Sequence, residues 1–284
     1  MPDPLLIGAH LSTSKGLVQM LHNAVELGCS CAQIFTSSPQ QWRSKKYTPS
    51  EADAFKAAQA ETGVGPVISH ESYLINLASL DAEILAKSEQ AFREEIARCG
   101  TLGLPLLVMH WGSYKGGTLD EGIARLAKSL NEMIPLADEA GVRIVLEITA
   151  GQGCYMGGDF AQFPQLFAQI PAHDRLGICL DTAHLFAAGY DLRDETSYNA
   201  LWQQFDRHLD RERLQAIHMN DTDKALGSHA DRHSHIGQGQ LGMDTFRRIM
   251  QDPLLTHIPK ILETPGGEEM HAANLQVLRT LAGE

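Results

Sequence analysis

Short, largely apolar segments alternate with longer amphipathic stretches along the chain. Each short segment is followed within two residues by Gly, Ser, Thr or Asn, as expected for strands buried on both faces. Eight segments are predicted as strands: Leu5–His10, Ala32–Thr36, Pro66–His70, Leu106–His110, Arg143–Ile148, Leu176–Asp181, Leu214–Met219 and Lys260–Glu263. Strand–helix alternation of this kind predicts an α/β protein whose parallel strands close into a (β/α)₈ TIM barrel. An open, doubly wound sheet of about five or six strands is the alternative.

The stretches between the predicted strands carry the signals of helices. Thr48–Glu51 has a Thr suited to the N-cap, a Pro at the first helical position and a Glu three residues after the Thr, and Thr118–Glu121 is a second capping box. Between residues 81 and 99, five positions at helical spacing are predicted to face the core: Ile84, Leu85, Ser88, Phe92 and Ile96. The sequence shows no linker, repeat or low-complexity segment, so residues 1–284 are predicted to form a single TIM-barrel domain.

Composition agrees with a globular protein and raises one objection to a nucleic-acid partner. Of the 284 residues, 43% are hydrophobic and 20% are charged, which excludes a disordered chain, a collagen and a coiled coil. The 23 Lys and Arg against 35 Asp and Glu give a net charge of −12, which opposes the phosphate neutralisation behind non-specific DNA binding. Divalent cations bound by several of the acids would reverse this field locally.

Signals for membrane insertion and secretion are absent from the sequence. No apolar run approaches the roughly 18–20 residues of a membrane helix. Residues 1–4 lack the basic and apolar regions of a secretory signal. The five cysteines are an odd number and form no CxxC pair, so a disulfide framework is not expected. We therefore predict a cytoplasmic protein with no membrane partner.

Polar side chains stand at the ends of the predicted strands. Seven of the eight segments end, or nearly end, in an imidazole or a carboxylate: His10, His70, His110, Glu147, Asp181, His218 and Glu263. In a TIM barrel all these ends lie on the face where active sites are built. Because an unpaired buried charge is very costly, such groups must be paired with one another or bound to metal ions.

Two local motifs extend this set of candidate metal ligands. Asp181 and His184 are three residues apart at a strand terminus, and Asp231 and His233 lie two residues apart in the loop after the seventh strand. The full candidate set is His70, His110, Glu147, Asp181, His184, His218, Asp231, His233 and Glu263. Mixed imidazole and carboxylate ligands without Cys suit catalytic Zn²⁺, with Mn²⁺ or Fe²⁺ as alternatives. The set is too large for one ion, and two or three ions favour phosphoester hydrolysis.

Motifs around the strand ends form a distinctive series. They are Gly8–His10, Ser72–Leu77, Leu146–Glu147, Thr149–Gly153, Asp181–His184, Phe186–Asp191, His218–Asp221, Asp231–His233 and Glu263–Pro265. With these motifs the chain resembles endonuclease IV, a family of zinc-dependent apurinic/apyrimidinic endonucleases with a TIM-barrel fold. The resemblance runs from about residue 5 to residue 265, and the last three motifs together are highly specific.

The resemblance implies a trinuclear site with three zinc ions per chain, and Mn²⁺ is an alternative in one or more positions. The implied ligands of the three ions are, in order, His70, His110 and the bridging Glu147; Asp181, His218 and Glu263; and His184, Asp231 and His233. Glu147 is also the predicted catalytic residue, which would orient the nucleophile. The implied reaction is DNA repair by hydrolysis of the phosphodiester 5′ to an abasic site, leaving a 3′-hydroxyl and a 5′-deoxyribose phosphate. Removal of 3′-blocking groups is implied as well.

The same resemblance predicts how the protein contacts double-stranded DNA. Tyr73 and Leu74 match the loop that enters the minor groove beside a flipped-out abasic nucleotide. Gln40 stands where the family usually has an Arg that wedges into the base stack, which removes a positive charge. Apart from the resemblance, the position of Arg232 beside the loop of the third ion predicts a contact with phosphate. The sequence also departs from the family at Trp111, where Pro is usual, and at Ile148, where a polar residue is common. The protein is expected to act as a monomer.

Two other classes of function are compatible with part of the pattern. A metal-dependent sugar isomerase or epimerase on a related barrel would use Glu147, Asp181, His218 and Glu263, but it would leave the other five candidate ligands without a role. A non-catalytic metal-binding or damage-binding protein is the third class. It is disfavoured because shared, open coordination differs from the closed tetrahedra of structural zinc.

Overall fold

The protein folds as a closed barrel of eight parallel strands, seen here in a computed structural model that describes residues 5–284. The strands follow the chain order around the barrel and are β1 (Ile7–Leu11), β2 (Cys31–Phe35), β3 (Val67–His70), β4 (Leu106–Met109), β5 (Arg143–Glu147), β6 (Gly177–Asp181), β7 (Leu214–His218) and β8 (Lys260–Leu262). The pairing of β1 with β8 closes the sheet. The predicted TIM barrel is confirmed, and each predicted strand end lies within two residues of the observed one.

Helices connect successive strands and surround the barrel. They are α1 (Leu17–Glu26), α2 (Pro49–Thr62), α3 (Ala82–Leu102), α4 (Leu119–Glu139), α5 (Gln162–Phe167), α6 (Thr182–Ala188), α7 (Glu195–His208), α8 (Gly242–Gln251) and α9 (Gly267–Ala282). Within residues 5–284, no helix combines the length and the apolarity needed to cross a membrane. The expectation of no secretory signal rests on residues 1–4, which lie outside the described residues.

Two apolar clusters form the core. The larger cluster packs the outer faces of the strands against the helices. The smaller cluster fills the space enclosed by the strands with one or two side chains from each of β2 to β8, among them Ile68, Val145, Cys179, Ala216 and Ile261. Because side chains alternate between the two faces of a strand, the residue two positions after each of these also faces the barrel axis. This alternation determines which residues reach the carboxyl end of the barrel.

One predicted core position in α3 is wrong. Leu85, Ser88, Phe92 and Ile96 are buried as predicted, but Ile84 is 43% exposed. Successive residues of an α-helix are rotated by about 100° around its axis. Ile84 therefore lies nearly a quarter turn away from the centre of the buried face.

Both predicted capping boxes are present in the structure. At the start of α2 the Glu51 amide donates to Thr48 Oγ1 at 3.3 Å, and the Thr48 amide donates to Glu51 Oε2 at 2.9 Å. These bonds satisfy amide groups that have no partner inside the helix.

We expect Thr48→Ala to lower the free energy of unfolding by about 1 kcal/mol, because it removes the acceptor at the helix N-cap. Chemical denaturation with an unchanged m-value measures this loss. Thr62→Ala is the matched control, since it is the same substitution at the other end of α2, where the hydroxyl donates to the Ala58 carbonyl. Equal losses for the two variants would contradict the assigned role of the N-cap.

Candidate metal centre

All nine predicted ligands meet at the carboxyl end of the barrel. Four of them, His70, Glu147, Asp181 and His218, are the last residues of β3, β5, β6 and β7. Each follows a barrel-filling residue by two positions, so strand alternation turns its side chain toward the axis. His110 and Glu263 occupy the equivalent place directly after β4 and β8.

The other three predicted ligands come from segments that follow the strands. His184 lies in the first turns of α6, whose N-cap is Asp181, and the His184 amide donates to Asp181 Oδ1 at 2.8 Å. Asp231 and His233 come from the loop between β7 and α8. The cap therefore fixes Asp181 and His184 relative to each other, although they lie on different elements.

The first group of side chains consists of His70, His110 and Glu147. Glu147 Oε2 lies 3.2 Å from His70 Nε2 and 3.4 Å from His110 Nε2. His70 and Glu147 are buried, and the His110 side chain is 29% exposed. One donor atom from each residue lies within 4.8 Å of the others, which is close enough for a shared ion.

The second group consists of Glu147, Asp181, His218 and Glu263, and it also brings its donor atoms within 4.8 Å of one another. His218 Nδ1 faces Glu147 Oε1 at 3.1 Å and Glu263 Oε2 at 3.4 Å. Glu147 thus presents one carboxylate oxygen to each of the first two groups.

The third group consists of Asp181, His184 and His233, with Asp231 beside it. Asp231 Oδ1 lies 3.2 Å from His184 Nε2 and 3.5 Å from His233 Nε2, and His233 Nε2 lies 3.7 Å from Asp181 Oδ2. Asp181 is therefore shared between the second and third groups, as Glu147 is between the first and second.

The electrostatics of the site follow from buried opposite charges. Burial alone would raise the pKa of Glu147, but the surrounding imidazoles, His218 and His110 foremost, hold it well below its ordinary value. Burial alone would lower the pKa of His184, but Asp181, Asp231 and Glu147 hold it well above its ordinary value. The buried carboxylates and imidazoles thus favour one another's charged forms.

The second nitrogen of four of the five histidines is held by a hydrogen-bond partner. Three partners are backbone carbonyls: Glu71 O at 2.9 Å from His70 Nδ1, Ile148 O at 2.9 Å from His184 Nδ1, and Glu263 O at 3.3 Å from His233 Nδ1. The fourth is a side chain, because His218 Nε2 lies 2.9 Å from Gln33 Oε1. Holding one nitrogen fixes the ring and its tautomer, and leaves the other nitrogen free as a metal ligand.

The donor set fits divalent metal ions. Glu147 Oε1, His218 Nδ1 and His233 Nε2 are buried and, among the residues that the structure describes, have no hydrogen-bond partner. Buried polar atoms without partners are rare in native proteins. Here all three atoms belong to the clusters of imidazoles and carboxylates described above, and such side chains are the usual ligands of Zn²⁺ and Mn²⁺.

The structure adds residues to the site that the sequence did not identify. Glu71 follows His70, and its Oε1 accepts a hydrogen bond from the His110 amide at 2.9 Å. Asn220 is buried and donates to Asp181 Oδ2 at 2.7 Å. Cys179 Sγ lies within 4.8 Å of donor atoms of Glu147 and His218, although the sequence set contained no Cys. Cys179 had a detectable signal, since it precedes Asp181 by two positions in β6, and Asn220 lies within the motif His218–Asp221.

The four predicted DNA contacts lie on loops around this centre. Gln40 and Arg232 are exposed, Tyr73 is 64% exposed and Leu74 is half-buried. Ser72 Oγ donates to the Pro39 carbonyl at 2.9 Å, which ties the loop of Tyr73 to the loop of Gln40. The Tyr73 ring stands edge-on to Phe35 with centroids 5.2 Å apart.

The departure at Trp111 leaves the candidate ligands in place. The indole is buried and meets the Phe163 ring edge-on at a centroid distance of 4.6 Å. A Cβ at position 157 would lie 2.6 Å from Trp111 Cδ1, and the φ of +86° at Gly157 also favours glycine. The absence of a side chain at Gly157, in the loop after β5, therefore leaves room for the Trp111 indole.

Comparisons with known proteins agree with the TIM-barrel fold. Residues 21–281 match a protein-family model described as a xylose isomerase-like TIM barrel. The chain is 43% identical over 276 residues to a protein of Chloroflexus aggregans named probable endonuclease 4, and the match covers 96% of each chain. The crystal structure of endonuclease IV from Thermus thermophilus superposes with a TM-score of 0.85 at 33% identity, covering 98% of this chain and 99% of that one. A D-psicose 3-epimerase from Clostridium cellulolyticum shares the fold with a TM-score of 0.71, although the two sequences are only 15% identical. That superposition covers 98% of this chain and 99% of the epimerase chain.

Proposed function

The chain belongs to the endonuclease IV family, and from this membership we propose that it hydrolyses the DNA phosphodiester on the 5′ side of apurinic/apyrimidinic sites. The proposed products are a 3′-hydroxyl and a 5′-deoxyribose phosphate, and the same site would remove 3′-blocking groups. We further propose that the reaction uses three zinc ions per chain, with Mn²⁺ accepted in one or more sites. We expect a monomer that acts in the cytoplasm on double-stranded DNA.

The observation that carries this proposal is the pair of shared carboxylates. Glu147 belongs to the first and second groups, and Asp181, a proposed ligand of the second ion, also lies in the third group. Linked groups of this kind could hold several ions close together, and multi-metal sites stabilise both the attacking and the leaving oxygen in phosphodiester hydrolysis. A sugar epimerase built on the second group alone would give no role to five buried or half-buried imidazoles and acids.

The proposed ligands of the first ion are His70, His110 and Glu147. Those of the other two ions are Glu147, Asp181, His218 and Glu263 for the second, and His184, Asp231 and His233 for the third. Bound zinc would lower the pKa of a water molecule and offset negative charge on the phosphate. Glu147 is the proposed catalytic residue, and its buried carboxylate would accept a hydrogen bond from the attacking water and so orient it. The backbone carbonyls behind His70, His184 and His233 keep these rings in place through the reaction.

The loops around the site would hold the DNA. We propose that Tyr73 and Leu74 enter the minor groove and occupy the space left by an abasic nucleotide that has turned into the site. Gln40, on the loop tied to them through Ser72, would enter the same gap without a positive charge. Arg232, next to the proposed ligands Asp231 and His233, would contact a phosphate.

The test is incision of a duplex oligonucleotide that carries one tetrahydrofuran abasic analogue, with and without prior chelation of the protein. This analogue cannot undergo β-elimination, so a lyase leaves it intact. We expect cleavage on the 5′ side of the analogue, loss of cleavage after chelation, and recovery on addition of zinc. An intact duplex with metal-loaded protein would overturn the proposal and favour the sugar epimerase, to be assayed on ketohexoses.

A further inference from the structure

Gln33 is a buried polar residue on β2, which, like β1, supplies none of the proposed ligands. Its side chain is fully buried, and two positions earlier in β2 Cys31 belongs to the cluster that fills the barrel. Strand alternation therefore turns Gln33 toward the barrel axis, next to the second group.

The Gln33 carboxamide makes three contacts with the site. Its oxygen Oε1 lies 2.9 Å from His218 Nε2. Its nitrogen Nε2 donates to Glu263 Oε1 at 2.6 Å and lies 3.0 Å from His10 Nδ1. Gln33 thus connects two members of the second group that come from different strands, β7 and the end of β8.

The chemistry of these contacts determines the state of both partners. An amide oxygen only accepts, so His218 must carry a proton on Nε2, and Nδ1, which faces Glu147 and Glu263, is the nitrogen that remains to bind a metal ion. An amide nitrogen only donates, so it holds one oxygen of the Glu263 carboxylate, while Oε2 stays directed at His218 Nδ1. If the Gln33 carboxamide were rotated by 180°, its oxygen would face the Glu263 carboxylate, so that two acceptors would meet. Its NH₂ group would then face the protonated Nε2 of His218, so that two donors would meet.

His218 differs in this respect from the other histidines of the site. His70, His184 and His233 are held through backbone carbonyls, which no substitution at the partner residue removes. His218 depends on a side chain 185 residues away. The hydrogen bonds that hold the second group can therefore be removed by substituting Gln33, without substituting any proposed ligand.

We propose that Gln33 is a positioning residue that prepares His218 Nδ1 and Glu263 Oε2 to bind the second metal ion. This inference rests on the proposed function only for the presence of that ion. Partners behind metal ligands commonly change metal affinity by about 10–100-fold when they are removed.

The test uses Gln33→Met, which keeps the length of the side chain and removes both hydrogen-bonding atoms. Zinc release from the purified holoprotein is followed in a chelator-competition titration. We expect the affinity for one ion to fall by about 10–100-fold and the other ions to be retained as in wild type. Anomalous diffraction at the zinc edge is expected to show reduced occupancy in the second group alone.

The matched control is Ile34→Met, a similar change at the neighbouring buried residue of β2, which belongs to the cluster outside the strands. It is expected to leave all zinc affinities unchanged. A merely structural role for Gln33 would weaken all the sites together or leave them all intact, and either result overturns the proposal.

A measurement on the wild-type protein covers the case in which Gln33→Met does not fold. Nitrogen-15 NMR of the imidazoles, in protein loaded with ¹¹³Cd, is expected to show His218 protonated at Nε2 and coupled to cadmium through Nδ1. The opposite tautomer would overturn the proposal. These readouts are independent of nuclease activity, so a metal-loaded wild type that leaves abasic DNA intact would refute the proposed function without affecting this test.

Discussion

Glu147→Gln is expected to lower the rate of incision at an abasic site by about 10³-fold or more while the barrel stays folded. Glu147 is fully buried and presents Oε2 to the first group and Oε1 to the second. The amide of Gln has the same shape, but its nitrogen cannot bind an ion, and it carries no charge to balance the ions around it. Both groups would lose their common ligand in one substitution.

The measurement is single-turnover incision of the tetrahydrofuran duplex, with enzyme in excess, together with the zinc content of each preparation. The control is Glu89→Gln on α3, the same change at a residue whose carboxylate accepts a hydrogen bond from Ser129 away from the site. It should cut at the wild-type rate. A Glu147→Gln enzyme within tenfold of wild type would show that Glu147 neither binds the ions nor orients the water.

Most of the candidate site could be predicted because the ligands stand at the ends of strands. A strand end is recognisable from hydrophobic pattern alone, and the barrel brings all the ends to one face. Gln33 could not be identified in this way, because it lies inside the predicted strand, three positions before its predicted end at Thr36. Glu71 and Asn220 escaped because their role depends on contacts with atoms distant in sequence, such as the His110 amide, which no local pattern contains.

Errors in the predicted packing have a different origin. Ile84 was assigned to the buried face of α3 from its spacing, yet a helix at the barrel surface buries only the stripe that faces the strands. An apolar residue in the first turn can lie beside that stripe at little cost, since single exposed hydrophobic residues are common. Spacing alone could not separate Ile84 from Leu85.

Removal of the metal ions is expected to destabilise the protein as well as to inactivate it, and the difference between holo and apo protein should widen as the pH rises. An ion present at 1,000 times its dissociation constant stabilises the folded state by about 4 kcal/mol per site. For a chain of this length, 1 kcal/mol corresponds to roughly 2–4 °C in Tm. Stripping the ions should therefore lower Tm by about 10 °C or more.

The pH dependence follows from the groups that would replace the ions in the apo protein. Burial lowers the pKa of His184, but Asp181, Asp231 and Glu147 raise it well above 6.5. A raised imidazole pKa gives stability that is fully present below pH 6.5 and is lost as the pH rises through the folded-state value. The apo protein should thus become less stable above neutral pH, where Glu147 and its neighbours lose their cationic partners.

The holo protein should respond to pH in the opposite sense, because an imidazole must lose its proton before it can bind an ion. Differential scanning calorimetry of zinc-loaded and chelator-treated protein, at intervals between pH 6 and pH 8.5, measures both trends at once. His233→Ala should reduce the difference between the two forms, since it removes a ligand from the third group. A gap between holo and apo Tm that is constant with pH would mean that ion binding does not displace protons from these histidines, and the proposed ligand set would then be wrong.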